Sequence, residues 1–149
     1  MKIGIMGGTF NPIHNAHLLI AEMAREEYGL DRVIFITDGN PPHKSANVTA
    51  KQRFEMTHIA IADNSAFEED DFEINRSEKS YTVNTLGYLK EKYPNNDLFF
   101  IIGEDSLNDF NKWYKPDKIL EMCSLLVFPR KSLKSLTETI KAVKEKMNG

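Results

Sequence analysis

Two histidines, His14 and His17, stand three residues apart in the stretch GGTFNPIHNAH that runs from Gly7 to His17. At that spacing on a helix they share one face. An imidazole, with a reference pKa of about 6.5, donates a hydrogen bond whether neutral or charged, and a nearby phosphate favours its charged form. Gly7 and Gly8 let the backbone turn tightly and approach a ligand with no Cβ in the way. A helix starting after them offers unpaired N–H groups and the positive end of its dipole, a ready anion site. Taken alone, the stretch reads as a phosphate-holding loop or equally as a turn with two surface histidines. It is not a dinucleotide fingerprint, because Gly4, Gly7 and Gly8 do not fit GxGxxG, and the P-loop pattern GxxxxGK[ST] is absent. A zinc pair on a helix more often sits at i, i+4 with a third ligand close by.

Such a loop needs a strand before it and a helix after it. Lys2–Met6 is a short apolar run ending in glycines and reads as a strand. His14–Tyr28 carries apolar Leu18, Leu19, Ala21, Met23 and Ala24 against charged Glu22, Arg25, Glu26 and Glu27, an amphipathic helix stopped by Gly29. Arg32–Thr37 and Leu98–Gly103 read as buried strands, Leu125–Phe128 as a further one and Phe72–Asn75 as a short one. Helices are expected over Ala50–Ala62, Val83–Tyr93, Pro116–Met122 and Ser132–Met147, and a polar loop with two prolines over Asp38–Thr49. The acidic run Glu68–Asp71 reads as a solvated turn. Strands alternate with helices and the clearest strands are continuously apolar. That predicts a single α/β domain over residues 1–149, a doubly wound, mostly parallel sheet with helices on both faces. Ligands in such sheets bind beyond the carboxyl ends of the strands, where GGTFNPIH and GEDS both fall.

The totals constrain the partners. A net charge of −3 over 149 residues gives no global attraction to nucleic acid or to an anionic membrane, so an anion site must be built locally. The single cysteine, Cys123, excludes an intrachain disulfide and a cysteine-cluster metal site, and it reads as packing. No run resembles a signal peptide or a membrane span, so a reducing cytoplasm is the expected location.

GGTFNPIHNAH resembles the signature of the HxGH nucleotidylyltransferases, Rossmann-like proteins that transfer a nucleotidyl group from a nucleoside triphosphate. Ala16 stands where that signature has glycine, and Asn11 where aspartate is common. An alanine fits if the backbone there is helical and crowds the site if a phosphate packs against it. Together with NPPHK (Asn40–Lys44), SYTVNTL (Ser80–Leu86) and GEDSLNDFNKWY (Gly103–Tyr114), it is similar to the bacterial nicotinate-nucleotide adenylyltransferases over nearly the whole chain. Phosphopantetheine adenylyltransferases usually have threonine where His14 stands.

The resemblance implies attack by the phosphate of nicotinate mononucleotide on the α-phosphorus of ATP, with Mg²⁺ carried mostly by the triphosphate and water. It implies His14 and His17 as catalytic residues. Gly8, Thr9, Phe10, Gly103 and Asp105 would join them in holding ATP. Lys44, Thr82, Trp113 and Tyr114 would hold the acceptor. An indole stacked on a pyridinium gains about 0.5–2 kcal/mol from cation–π attraction. Bland readings stand beside these: Thr82 and Asp105 as helix caps, Trp113 as core or cap, Lys44, His43 and Arg130 as solvated charges. The family also implies a later ISSTxIR segment that grips the triphosphate; the residues after Arg130 read instead as a lysine-rich amphipathic helix. An incomplete triphosphate grip is therefore expected, with an unpaired sheet edge that favours homo-oligomers. A nucleotide-binding module without catalysis, or an enzyme preferring nicotinamide mononucleotide, stays open.

Overall fold

The computed structural model describes residues 1–8, 10, 13–39, 49–75 and 81–128. Thr9, Asn11, His43, Lys44, Arg130 and the helix expected over Ser132–Met147 lie outside the described residues.

Five strands form one sheet: β1 (Lys2–Gly8), β2 (Arg32–Thr37), β3 (Phe67–Asp70), β4 (Asp97–Gly103) and β5 (Ser124–Phe128). Their order is β3-β2-β1-β4-β5 and every pairing is parallel. Each crossover carries a helix: α1 (Asn15–Tyr28), α2 (Ala50–Ile61), α3 (Thr82–Lys92), and the short α4 (Glu104–Asn108) and α5 (Pro116–Met122), separated by a 3₁₀ turn at Phe110–Lys112. The chain first winds outward from β1 through β2 to β3, then returns to the other side of β1 for β4 and β5. The winding reverses between β1 and β4, and a crevice opens there beyond the carboxyl ends.

The inner strands β1, β2 and β4, and β5 beside them, are apolar over most of their length because both faces are covered. On one face Ile20, Ala21 and Ala24 of α1 and Ile61 of α2 meet Met6, Val33, Phe35 and Ile101. On the other, Leu86 and Leu89 of α3 and Ile119 of α5 meet Ile3, Ile5, Ile34 and Phe100. Gly29 closes α1 at φ 65°, and the N–H of Leu30 returns to the Arg25 carbonyl at 2.9 Å. Thr49 and Gln52 cap α2 reciprocally, at 3.1 and 3.0 Å. Cys123 is buried packing, as expected; burial pushes its thiol up to about 11, which leaves no thiolate for chemistry near neutrality.

Two expectations are corrected together. The acidic run is not a solvated turn, and Phe72–Asn75 is not a strand. Phe67–Asp70 pairs with β2 as the edge strand, and the turn follows it, with the Asn75 N–H on the Asp71 carbonyl at 3.2 Å. Asp70 could enter the sheet because its charge is met. Its carboxylate accepts from Lys92 Nζ at 2.8 Å, the Tyr88 hydroxyl at 3.0 Å and the Phe72 N–H at 2.9 Å. Phe72 stacks on Tyr88 outside the sheet. Charged residues on an edge strand also discourage pairing with other chains.

Candidate functional site

A crevice of about 520 Å³ lies at the switch point. Its floor is the end of β1 (Met6, Gly7, Gly8) and of β4 (Ile101, Ile102, Gly103). His14, Ala16 and His17 at the start of α1 line one wall, and Glu73, Thr82 and Trp113 line it from the α3 and 3₁₀ side. His17 lies nine positions after the end of β1, and Thr82 lies 65 positions after His17; only the crossovers bring them to one cavity.

Gly7 and Gly8 belong to β1 itself, paired with Ile36 and Thr37, so the strand carries the turn two residues further than its apolar run predicts. A Cβ on Gly7 would meet nothing nearer than 3.9 Å, and one on Gly103 nothing nearer than 4.0 Å. The protein has room for alanine at both places. Their smallness serves whatever occupies the crevice.

α1 starts with His14 as its N-cap, in extended conformation (φ −112°, ψ 160°), and His17 is the third helical residue. The His14 backbone N–H donates to His17 Nδ1 at 3.0 Å. That bond takes the Nδ1 lone pair, so neutral His17 carries its hydrogen on Nε2. Burial, and then the neighbouring His14, lower the His17 pKa below the ordinary imidazole value. His17 is therefore a neutral Nε2–H donor at pH 7 in the free chain. The His14 ring stacks on it at 5.3 Å and the Phe10 ring meets it edge-on at 5.3 Å. Ala16 sits in the first helical turn, where alanine is well tolerated, and it also lines the crevice, so its methyl group narrows the space beside the histidines.

Thr82 is the first residue of α3, and Tyr81 rather than Thr82 occupies the cap position. Trp113 ends the 3₁₀ turn, packs on Phe110 and Phe100 at 5.1 and 6.1 Å, and still lines the crevice, so its packing leaves it within reach of a ligand there. Of the other predicted residues, Gly8 and Gly103 line the crevice. Phe10 is buried at φ 49° under His17, so its ring supports the site from below. Asp105 lies in the first turn of α4, exposed and off the crevice wall; Gly103 is the cap of that helix. Tyr114 is exposed beside Tyr81, ring centroids 4.7 Å apart. Thr9 and Lys44 lie outside the described residues.

Two carboxylates on the wall, Asp38 and Glu73, were not expected. Asp38 directly follows β2, so the rule that ligands gather at strand ends would have found it. Glu73 was hidden by the strand expected over Phe72–Asn75. Its carboxylate accepts from the Thr85 hydroxyl at 2.6 Å. Among the described residues no group of three or more His, Cys, Asp or Glu could hold a metal ion, and no helix is long and apolar enough to cross a membrane.

A doubly wound parallel sheet with an unencumbered glycine edge and a paired-histidine helix start at its switch point defines a nucleotide-binding α/β class. The family model "Cytidylyltransferase-like" matches residues 5–147. A nicotinate-nucleotide adenylyltransferase of Citrifermentans bemidjiense is 47% identical over 144 residues, 94% of this chain and 67% of that protein. One of Pelobacter propionicus is 51% identical over 132 residues, 87% of this chain and 61% of that protein. The fold matches the Plasmodium falciparum nicotinic acid mononucleotide adenylyltransferase complexed with NaAD, with a TM-score of 0.76 at 24% identity over 93% of this chain and 70% of that one. The chain belongs to the cytidylyltransferase-like family, among the nicotinate-nucleotide adenylyltransferases of NAD biosynthesis. It spans between about three fifths and two thirds of the length of these two relatives.

Proposed function

We propose that this chain transfers the adenylyl group of ATP to nicotinate mononucleotide, giving nicotinate adenine dinucleotide and pyrophosphate. One observation carries the reading: His14 and His17 share a single crevice with Thr82 and Trp113. A phosphate-holding wall and an aromatic-plus-hydroxyl wall fit the two ends of that reaction. An oxygen of the acceptor phosphate forms a bond to the α-phosphorus of ATP, and the bond from that phosphorus to the bridging oxygen breaks, releasing pyrophosphate. The nucleophile arrives ionised, so no base is needed. Positioning and stabilisation of charge on the transferring group do the work. His17 donates from Nε2, and His14 stacks beside it. Mg²⁺ would enter with the triphosphate, held mostly by the substrate and water. ATP and the mononucleotide are then the partners, and a reducing cytoplasm the setting.

Nicotinamide mononucleotide is the second acceptor to compare, because Glu73 brings a carboxylate to the wall that carries Thr82. The test is pyrophosphate release from ATP and Mg²⁺ with each mononucleotide in turn. Release with the acid establishes the reading, and release with the amide alone replaces it. Tight binding without release with either assigns a binding module.

A further inference from the structure

Among the described residues Arg53 is the largest of the fully buried side chains, 2% exposed, and it belongs to α2, outside the crevice lining. Its Nη1 donates to the Asp38 carbonyl at 2.7 Å. The Asp38 N–H donates in turn to the Gly8 carbonyl at 2.9 Å. The two peptide planes flanking Asp38 are thus held, one by the last bond of the β1–β2 ladder and the other by Arg53 from outside the sheet. Burying a guanidinium is expensive, and an apolar side chain would fill the same volume more cheaply.

The held segment bears on the acceptor side. Gly39 follows Asp38, and a Cβ there would fall 2.1 Å from the Glu73 carbonyl oxygen, so the two backbones are in direct contact. Glu73 binds Thr85, one turn along the helix that Thr82 begins. A continuous packed path therefore runs from Arg53 through Asp38, Gly39 and Glu73 to α3. The α1 wall with His14 and His17 is not on it.

We propose that Arg53 is a positioning residue for the acceptor nucleotide: it fixes the exit of β2, so that the wall shared by Asp38, Glu73 and Thr82 fits nicotinate mononucleotide. This rests on the reading of that wall as the acceptor subsite. Trp113 is the one tryptophan of the chain and lines the crevice, so its fluorescence reports binding without requiring turnover. Nicotinate mononucleotide and Mg-ATP are titrated separately into the wild type, Arg53→Met, Arg53→Gln and Arg53→Lys, with thermal melting alongside. The expected result is at least tenfold weaker mononucleotide binding in Arg53→Met, a smaller loss in Arg53→Lys, and Mg-ATP affinity within about twofold throughout. Where turnover is measurable, KM for the acceptor rises while kcat and KM for ATP hold. Equal weakening of both ligands, or none, overturns the role. If Arg53→Met does not fold, Arg53→Gln and Arg53→Lys decide: unchanged acceptor binding in both overturns it. A wild type that does not bind the mononucleotide overturns the functional reading itself.

Discussion

At the scale of single residues, the sharpest feature is the commitment of His17 Nδ1 to the helix cap. One ring nitrogen holds the start of α1 and the other is left as a donor. Replacing His17 with alanine should remove that donor and cost on the order of 3–4 kcal/mol in transition-state stabilisation, as loss of a positioned donor does elsewhere. Circular dichroism should show the fold surviving, since the cap itself contributes only about 1 kcal/mol. Steady-state turnover is the check, and near-normal kcat would remove His17 from its catalytic role. Gly103 makes a complementary case. Its Cβ has room within the protein, so Gly103→Ala should leave the melting temperature within a few degrees of wild type. The methyl group would instead point its cost at the ligand: KM for ATP should rise about tenfold or more, equivalent to about 1.4 kcal/mol. An unchanged KM would show that the nucleotide keeps clear of β4.

At the scale of elements, β3 shows how an acidic segment becomes a strand. Local propensity disfavours it, since glutamate and aspartate are depleted in strands. The pairing with β2 and the burial of Phe67 outweigh that, provided the Asp70 carboxylate is satisfied. Lys92 does most of this; the carboxylate beside it holds its ammonium well above the usual range. The Lys92 side chain is 45% exposed, so solvent screens the pair on one side. Lys92→Met should therefore destabilise by about 1–3 kcal/mol, less than a fully buried pair would. Urea denaturation measures it, and Lys92→Arg should recover most of the loss. No destabilisation in the methionine variant would mean that Tyr88 and the Phe72 N–H suffice for Asp70.

At the scale of the whole molecule, stability should depend on pH through His17. Its folded pKa is lowered, so the unfolded chain takes up the proton first as pH falls. The unfolded state then binds more protons than the folded one, and stability rises with pH across that window. The contribution is fully present above the unfolded value of about 6.5 and is lost as pH drops below it toward the folded value. The difference in unfolding free energy between wild type and His17→Gln isolates it from the carboxylates that titrate lower. That difference should shrink from pH 7.5 to about pH 5.5; a constant difference would place the His17 proton outside the cap.

Local pattern determined a great deal of this protein. The apolar strands, the amphipathic α1 stopped by Gly29 and the proline start of α5 were legible because each is decided within one turn or one strand. The histidine pair, the glycine edge, Thr82 and Trp113 were legible because their types and order are distinctive. What tertiary structure decided lies in pairings across long separations. Phe67–Asp70 became a strand through β2 and Lys92, and the turn behind it delivered Glu73 to the crevice. Arg53, unremarkable in a helical run of charges, became a buried tie because α2 lays it under the exit of β2. The tautomer of His17 was settled by a backbone N–H that its own helix presents. Burial and hydrogen-bond partners act through space, so periodicity and composition could name the residues of the crevice without assigning the groups that hold them.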